Sequence, residues 1–116
     1  MRRELVLLAE MIEAADQAQA LVVDTDVVAL DADRQRRDAL LWNFTVLGEA
    51  AAQLDTTVKE RFSTVEWARP SQLRNRIVHG YWSIDLAILH TTATDQLPAF
   101  AEQLREVLAE LEAEAS

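Results

Sequence analysis

The sequence has no cysteine, two glycines and two prolines among its 116 residues. Without cysteine there are no disulfides, no thiolate metal ligands and no cysteine nucleophile, which fits a reducing compartment. So few glycines and prolines leave little turn chemistry for an all-β fold. Bases are scarce as well: 11 stand against 20 acids, for a formal net charge of −9. That balance argues against diffuse coating of nucleic acid, but it leaves room for a small basic site on an acidic body. Long apolar runs are also missing. Charged residues or histidine interrupt each stretch before it reaches the length of a membrane span. Glu4 and Glu10 fall where a signal peptide needs an apolar region. These absences point to a soluble cytoplasmic protein. Half of the residues are hydrophobic, enough for a packed core, and the length suits a single domain over residues 1–116.

What is present is helical periodicity. Leu5, Leu8, Ile12 and Ala15 recur at three- and four-residue steps, predicting a first helix of about five turns that ends near Leu21. Asp24-Thr25-Asp26 is a break rich in capping residues, and Val27 to Leu30 suits a short turn of helix. Asp31 or Asp33 can cap a second long helix, whose stripe is Leu40, Phe44, Leu47, Ala51 and Leu54. Gly48 lies inside it, where glycine costs roughly 1 kcal/mol against alanine, and close packing on a neighbouring helix accounts for that cost.

Residues 55–71 read as a connector. Ser63-Thr64-Val65-Glu66 fits a capping box with Phe62 and Trp67 as its staple; Pro70 then breaks the pattern and Ser71 can cap a new start. A third helix runs to about His79 and stops at Gly80, a residue suited to a left-handed C-cap. Ser83 can cap the next helix, with Asp85 in its first turn. Pro98 implies a bend or restart near Gln96, followed by a stripe from Leu97 to Leu111. The acid-rich tail keeps its leucines at helical spacing, so it reads as ordered helix. Long helices with short joins make an all-α, antiparallel bundle of four main helices.

Charge is uneven along this bundle. Residues 95–116 hold six acids and one arginine, whereas residues 59–81 hold five bases and two acids. Arg34, Arg36 and Arg37 form a second basic cluster. The dense polar run is Arg74-Asn75-Arg76-Ile77-Val78-His79-Gly80-Tyr81-Trp82. Asn75, Arg76 and His79 are helix-surface neighbours, while Arg74 lies about 140° from His79 and needs its long side chain to swing over. Tyr81 can fold back beside His79.

An arginine fork holds phosphate oxygens and stabilises developing charge. A histidine moves protons near neutral pH. If the nucleophile is the adjacent ribose 2′-OH, no metal is required and RNA is selected over DNA. The bland reading stands beside this one: a histidine before a C-cap glycine also suits hydrogen bonding to the last carbonyls. Trp42, Trp67 and Trp82 read as core or interface anchors, and His90 as structural. Two histidines without aligned carboxylates do not suggest zinc. Glu49 is either a surface residue or the partner that orients an arginine of the third helix.

The run resembles the R-x-x-x-x-H-x-Y signature of HepT-like toxins in the HEPN superfamily. Leu47-Gly48-Glu49-Ala50 is similar to the family's I-G-E-A segment, Trp67 keeps its spacing before Arg-Asn, and Gln96-Leu97-Pro98 resembles its D-L-P element. The likeness spans roughly residues 40–100 and departs at Leu89-His90-Thr91, where many relatives carry tryptophan.

The resemblance implies a HEPN-like four- to five-helix bundle that homodimerises and acts as a metal-independent endoribonuclease. It further implies a toxin paired with a minimal nucleotidyltransferase antitoxin that can place AMP on the motif tyrosine. By position, Arg74 and His79 are the catalytic pair. Asn75, Arg76 and Glu49 support them, and Tyr81 is the modification site. No cofactor is implied, and RNA is the expected substrate. The alternatives are a non-catalytic HEPN-like dimer that only binds the nucleotidyltransferase, and a homo-oligomeric helical scaffold.

Overall fold

A computed structural model describes residues 2–116. Met1, with which the amino-terminal reading begins, lies outside the described residues. Four long helices carry the fold: α1 (Arg2–Val22), α3 (Arg34–Gln53), α5 (Ala68–His79) and α7 (Leu97–Ala115). Three short ones join them: α2 (Val27–Ala32), α4 (Thr56–Arg61) and α6 (Leu86–Thr91). A 3₁₀ turn covers Tyr81–Ser83 and a π-helical stretch covers Thr92–Gln96. There is no strand among the described residues. The bundle is all-α, as the periodicity predicts.

Polar contacts show the directions of the long helices. Arg36, at the start of α3, donates to the Leu21 carbonyl at the end of α1 (2.9 Å). Arg3, at the start of α1, donates to the Gln53 carbonyl at the end of α3 (3.1 Å). These two helices are therefore antiparallel. On the other side, α5 runs antiparallel to α3, with Arg74 beside Glu49 and Tyr81 beside Asp38. The far end of α7 returns to α4, where Arg61 pairs with Glu110 and Glu114. The acidic tail is thus helix held by a base.

The core between α1, α3 and α7 is built from Leu8, Met11, Leu40, Phe44, Leu47, Leu104 and Leu111, all essentially inaccessible. Removing one such side chain from water contributes about 1.5–3 kcal/mol. Buried alanines at Ala15, Ala18, Ala51 and Ala101 let the helices approach closely. Asp26, Asp33, Asp55 and Asp85 cap α2, α3, α4 and α6, each accepting a backbone N–H of the first turn.

Several local expectations are overturned. The connector over residues 55–71 contains α4 and the first residues of α5. Ser63–Glu66 forms no capping box, since α5 begins at Ala68 without a side-chain cap. Pro70 does not break the pattern but lies in the first turn of α5, where its missing N–H leaves no helical bond unmade. Ser71 donates to the Ala68 carbonyl (3.0 Å) and caps nothing. Gly80 has φ −146°, not a left-handed value. The chain passes straight into the 3₁₀ turn, with Ser83 N–H on the Gly80 carbonyl (2.9 Å). Ser83 is spent in that turn, and Asp85 caps α6 instead. At the Pro98 junction the helix continues through a wider turn. Leu97 N–H bonds the Thr92 carbonyl five residues back, as a π-helix does.

Candidate active site

The site starts at a glycine. A Cβ on Gly48 would stand 2.2 Å from Arg74 Cβ and 2.5 Å from the Pro70 carbonyl oxygen. No real side chain fits there, so the absence of a Cβ is what lets α3 and α5 cross at Arg74. The close-packing reading of Gly48 therefore has a named partner. Glu49, next to the crossing, is exposed, and its Oε2 lies 3.0 Å from Arg74 Nη2. Of the two readings open to Glu49, the structure has the ion pair with an arginine of the third long helix. On the other side, Arg74 Nη1 donates to Asn75 Oδ1 (2.8 Å). The guanidinium is thus gripped at both ends, about a third accessible. Its Nε–H is buried and has no acceptor among the described residues.

His79 occupies the last turn of α5 and is exposed. Arg74 turns toward α3 and Glu49 and does not swing toward His79. The two residues share one short helix, which holds their backbones in fixed relation. Arg76 is exposed and takes part in no ion pair among the described residues. Among these residues, no three or more His, Cys, Asp or Glu side chains are grouped to hold a metal ion.

Tyr81 departs from its expected place. It does not pair with His79; it reaches back to α3 and donates its hydroxyl to Asp38 Oδ1 (3.0 Å). Desolvation raises its pKa above the usual phenol value, and the hydrogen bond and negative charge of Asp38 add to the rise. Arg37 and Arg34 pull the other way. Asp38 escaped the sequence reading. Eleven residues separate it from Glu49, about three helical turns, so both lie on one face of α3. That spacing was the available signal. The second basic cluster is largely internal: Arg34 pairs with Asp38, Arg36 with Asp33, and Arg37 with Asp31 and Asp38.

The three tryptophans divide. Trp67 is core, and its indole N–H donates to the Phe62 carbonyl (3.0 Å). Trp42 is 66% exposed and Trp82 92% exposed. Val78 and Tyr81 are exposed as well, and the Tyr81 and Trp82 rings meet edge to face. His90 is structural as expected, its Nε2 meeting the Thr25 carbonyl.

The family described as "Ribonuclease HepT-like" matches residues 11–107, most of the chain. The chain belongs to the ribonuclease HepT-like family. The match extends to both sides of the Arg74–Tyr81 run and takes in α3 and α6 as well. Curated relatives agree. "Putative RNase TTE0752" of Caldanaerobacter subterraneus is 26% identical over 60% of this chain and 62% of its own length, so the chain covers less than two thirds of that relative. "Putative RNase MJ1380" of Methanocaldococcus jannaschii is 24% identical over 84% of this chain and 90% of its own. "Probable ribonuclease HepT" of Thermococcus cleftensis is 22% identical over 85% and 90%. No solved structure matches the chain significantly. This is a protein of a ribonuclease family, with the HepT-like motif on α5 and in the turn that follows. No helix of the described residues is long and apolar enough to cross a membrane.

Proposed function

We propose that this HepT-like chain is the toxin of a toxin–antitoxin pair, acting in the cytoplasm as a metal-independent endoribonuclease. The observation that carries this reading is Arg74, held by Glu49 and Asn75 with its guanidinium still about a third accessible, on the same helix as an exposed His79. A ribose 2′-OH attacks the adjacent phosphorus, its proton passes to a base, and the 5′-oxygen of the next nucleotide leaves with a proton from an acid. His79 serves as base or acid in this exchange, and Arg74 stabilises the charge gathering on the phosphate oxygens. The product carries a 2′,3′-cyclic phosphate. A substrate with 2′-deoxyribose at the scissile position is expected to resist cleavage completely, and equal cleavage of that analogue would overturn the mechanism.

The active species is a homodimer. Trp42, Val78, Tyr81 and Trp82 expose apolar surface beside the motif, and a second copy that covered it would bring two motifs into one cleft. Sedimentation of the intact chain should give a dimer that Trp82→Ser weakens; monomers at micromolar concentration would refute it.

The antitoxin is a nucleotidyltransferase that places AMP on Tyr81. The adduct adds bulk and negative charge next to the motif and competes for its arginines. Mass spectrometry after co-expression should find the adduct on Tyr81, and adducts exclusively elsewhere would exclude it. The alternative reading, a non-catalytic binding partner, is favoured by one observation: Glu49 already neutralises Arg74 in this chain. Growth arrest on expression without the partner decides between the two. Wild type should arrest growth while folded Arg74→Ala and His79→Ala do not; equal behaviour of all three means binding alone.

A further inference from the structure

On another flank of α5, Arg69, Leu73 and Arg76 recur at four- and three-residue steps and face away from Glu49. They border a cavity of about 380 Å³ closed by α3 on one side and by α6, the π stretch and α7 on the other. That volume falls within the range of small-molecule sites. Phe44, Leu47 and Leu97 form its buried floor, with Leu73 and Phe100 half-buried on its walls. Two exposed amide side chains line it, Gln72 from α5 and Gln96 from the π stretch. Thr92 and Gln96 stand four residues apart along the π stretch and so share the lining, and π turns often mark functional sites. Of the two arginines, Arg69 is engaged by Glu66 (2.8 Å). Arg76 is in no ion pair among the described residues and stands one helical turn before His79.

We propose that this cavity is a nucleobase subsite for the RNA nucleotide next to the scissile phosphate. This rests on the ribonuclease reading for its location in the reaction, but its chemistry is independent of it. The apolar floor and walls receive the faces of a base. Gln72 and Gln96 each offer a donor and an acceptor, as the edge of a base requires. Arg76 at the rim holds the phosphate of the same nucleotide with its fork of donors and so passes the chain toward His79. A base seated here has left its stack, so the substrate is single-stranded or looped RNA.

The test uses the intact chain and binding alone. Backbone amide shifts are followed by NMR during titration with the four nucleoside 5′-monophosphates and with ribose 5-phosphate, which has the phosphate but no base. At least one monophosphate should shift the amides of Gln72, Thr92, Gln96 and Phe100, and bind about tenfold more tightly than ribose 5-phosphate. Gln96→Ala, a change at an exposed position that leaves the fold intact, should weaken that monophosphate about three- to tenfold, as loss of a hydrogen bond does, and leave ribose 5-phosphate unaffected. Equal affinity for ribose 5-phosphate, or shifts confined to residues outside the cavity, would overturn the subsite. Base binding without RNA cleavage would refute the ribonuclease reading and leave the subsite standing. Cleavage without base binding would do the reverse.

Discussion

Arg74 and His79 lie five residues apart on one helix, yet their surroundings differ in kind. Arg74 sits where α5 crosses α3 over a glycine with no room for a Cβ, and two polar side chains hold its guanidinium. His79 sits in the last turn, exposed, before a 3₁₀ turn that carries Tyr81 back toward α3 and leaves Trp82 in solvent. One end of the motif is preorganised by packing. The other is open to whatever covers it. Electrostatic stabilisation works best from donors that are fixed beforehand, whereas a proton-transferring group must reach its substrate. The contrast therefore suits the two roles proposed.

The largest expected effects set these two ends against each other. Arg74→Ala and His79→Ala should each lower the RNA cleavage rate roughly 100-fold or more. Denaturant unfolding should separate them: His79→Ala stays within about 0.5 kcal/mol of wild type, as changes at exposed positions do, whereas Arg74→Ala removes a stem packed at the crossing and shifts stability. Equal stability of both would erase the distinction between a packed end and an open one.

Next comes Gly48→Ala. Its methyl would overlap the Arg74 stem and the Pro70 backbone, so the helices must separate. Overpacking of this kind costs about 1–3 kcal/mol, and cleavage should fall with it as Arg74 leaves its place. A variant as stable and active as wild type would show that the crossing does not position Arg74.

Glu49→Gln is a finer probe. The pair with Arg74 is partly solvated, and exposed pairs contribute at most about 1 kcal/mol. Stability should therefore hardly change while the cleavage rate drops about tenfold, with KM less affected than kcat. Unchanged kinetics would return Glu49 to a surface role.

The smallest effect concerns the turn at the open end. Tyr81 is the single tyrosine, so ultraviolet titration reads its phenol alone among tyrosines. Because its pKa is raised on folding, the stabilisation linked to it is complete below the ordinary tyrosine range near 10. It is lost as pH rises through the raised value. Asp38→Asn removes the negative charge and leaves Arg34 and Arg37, so the phenol should titrate at lower pH than in wild type. An unchanged titration would mean that Asp38 does not govern Tyr81.

Much of this was legible in the residues. Apolar spacing located the four long helices, three of them within a residue or two and α5 with its start read at Ser71 instead of Ala68, because a half-buried helix must repeat its apolar face every three to four positions. The R-x-x-x-x-H-x-Y run could be read because it is local, lying on one helix and its exit turn. Cap geometry was read less well. Asp33 was among the candidates, but Ser63, Ser71 and Ser83 were assigned capping roles that the chain does not use. Several short polar residues near one helix start offer equivalent local bonds, and packing selects among them. Glu4 shows the same limit. It is buried and accepts the Asp55 N–H (2.9 Å) at the α3–α4 corner, a contact that no local pattern announces.

By itself the sequence determined the helical class, the long helices, the family motif and the close approach at Gly48, because these follow from local periodicity and from residue types with few uses. The tertiary structure decided which partners the motif meets. It joined Arg74 to Glu49 across 25 residues of chain and Tyr81 to Asp38 across 43, and it placed Gln72 and Gln96 on one cavity. Those pairings depend on how two antiparallel helices rotate and slide against each other. Side-chain volume at the crossing sets that, and no local pattern along the chain encodes it.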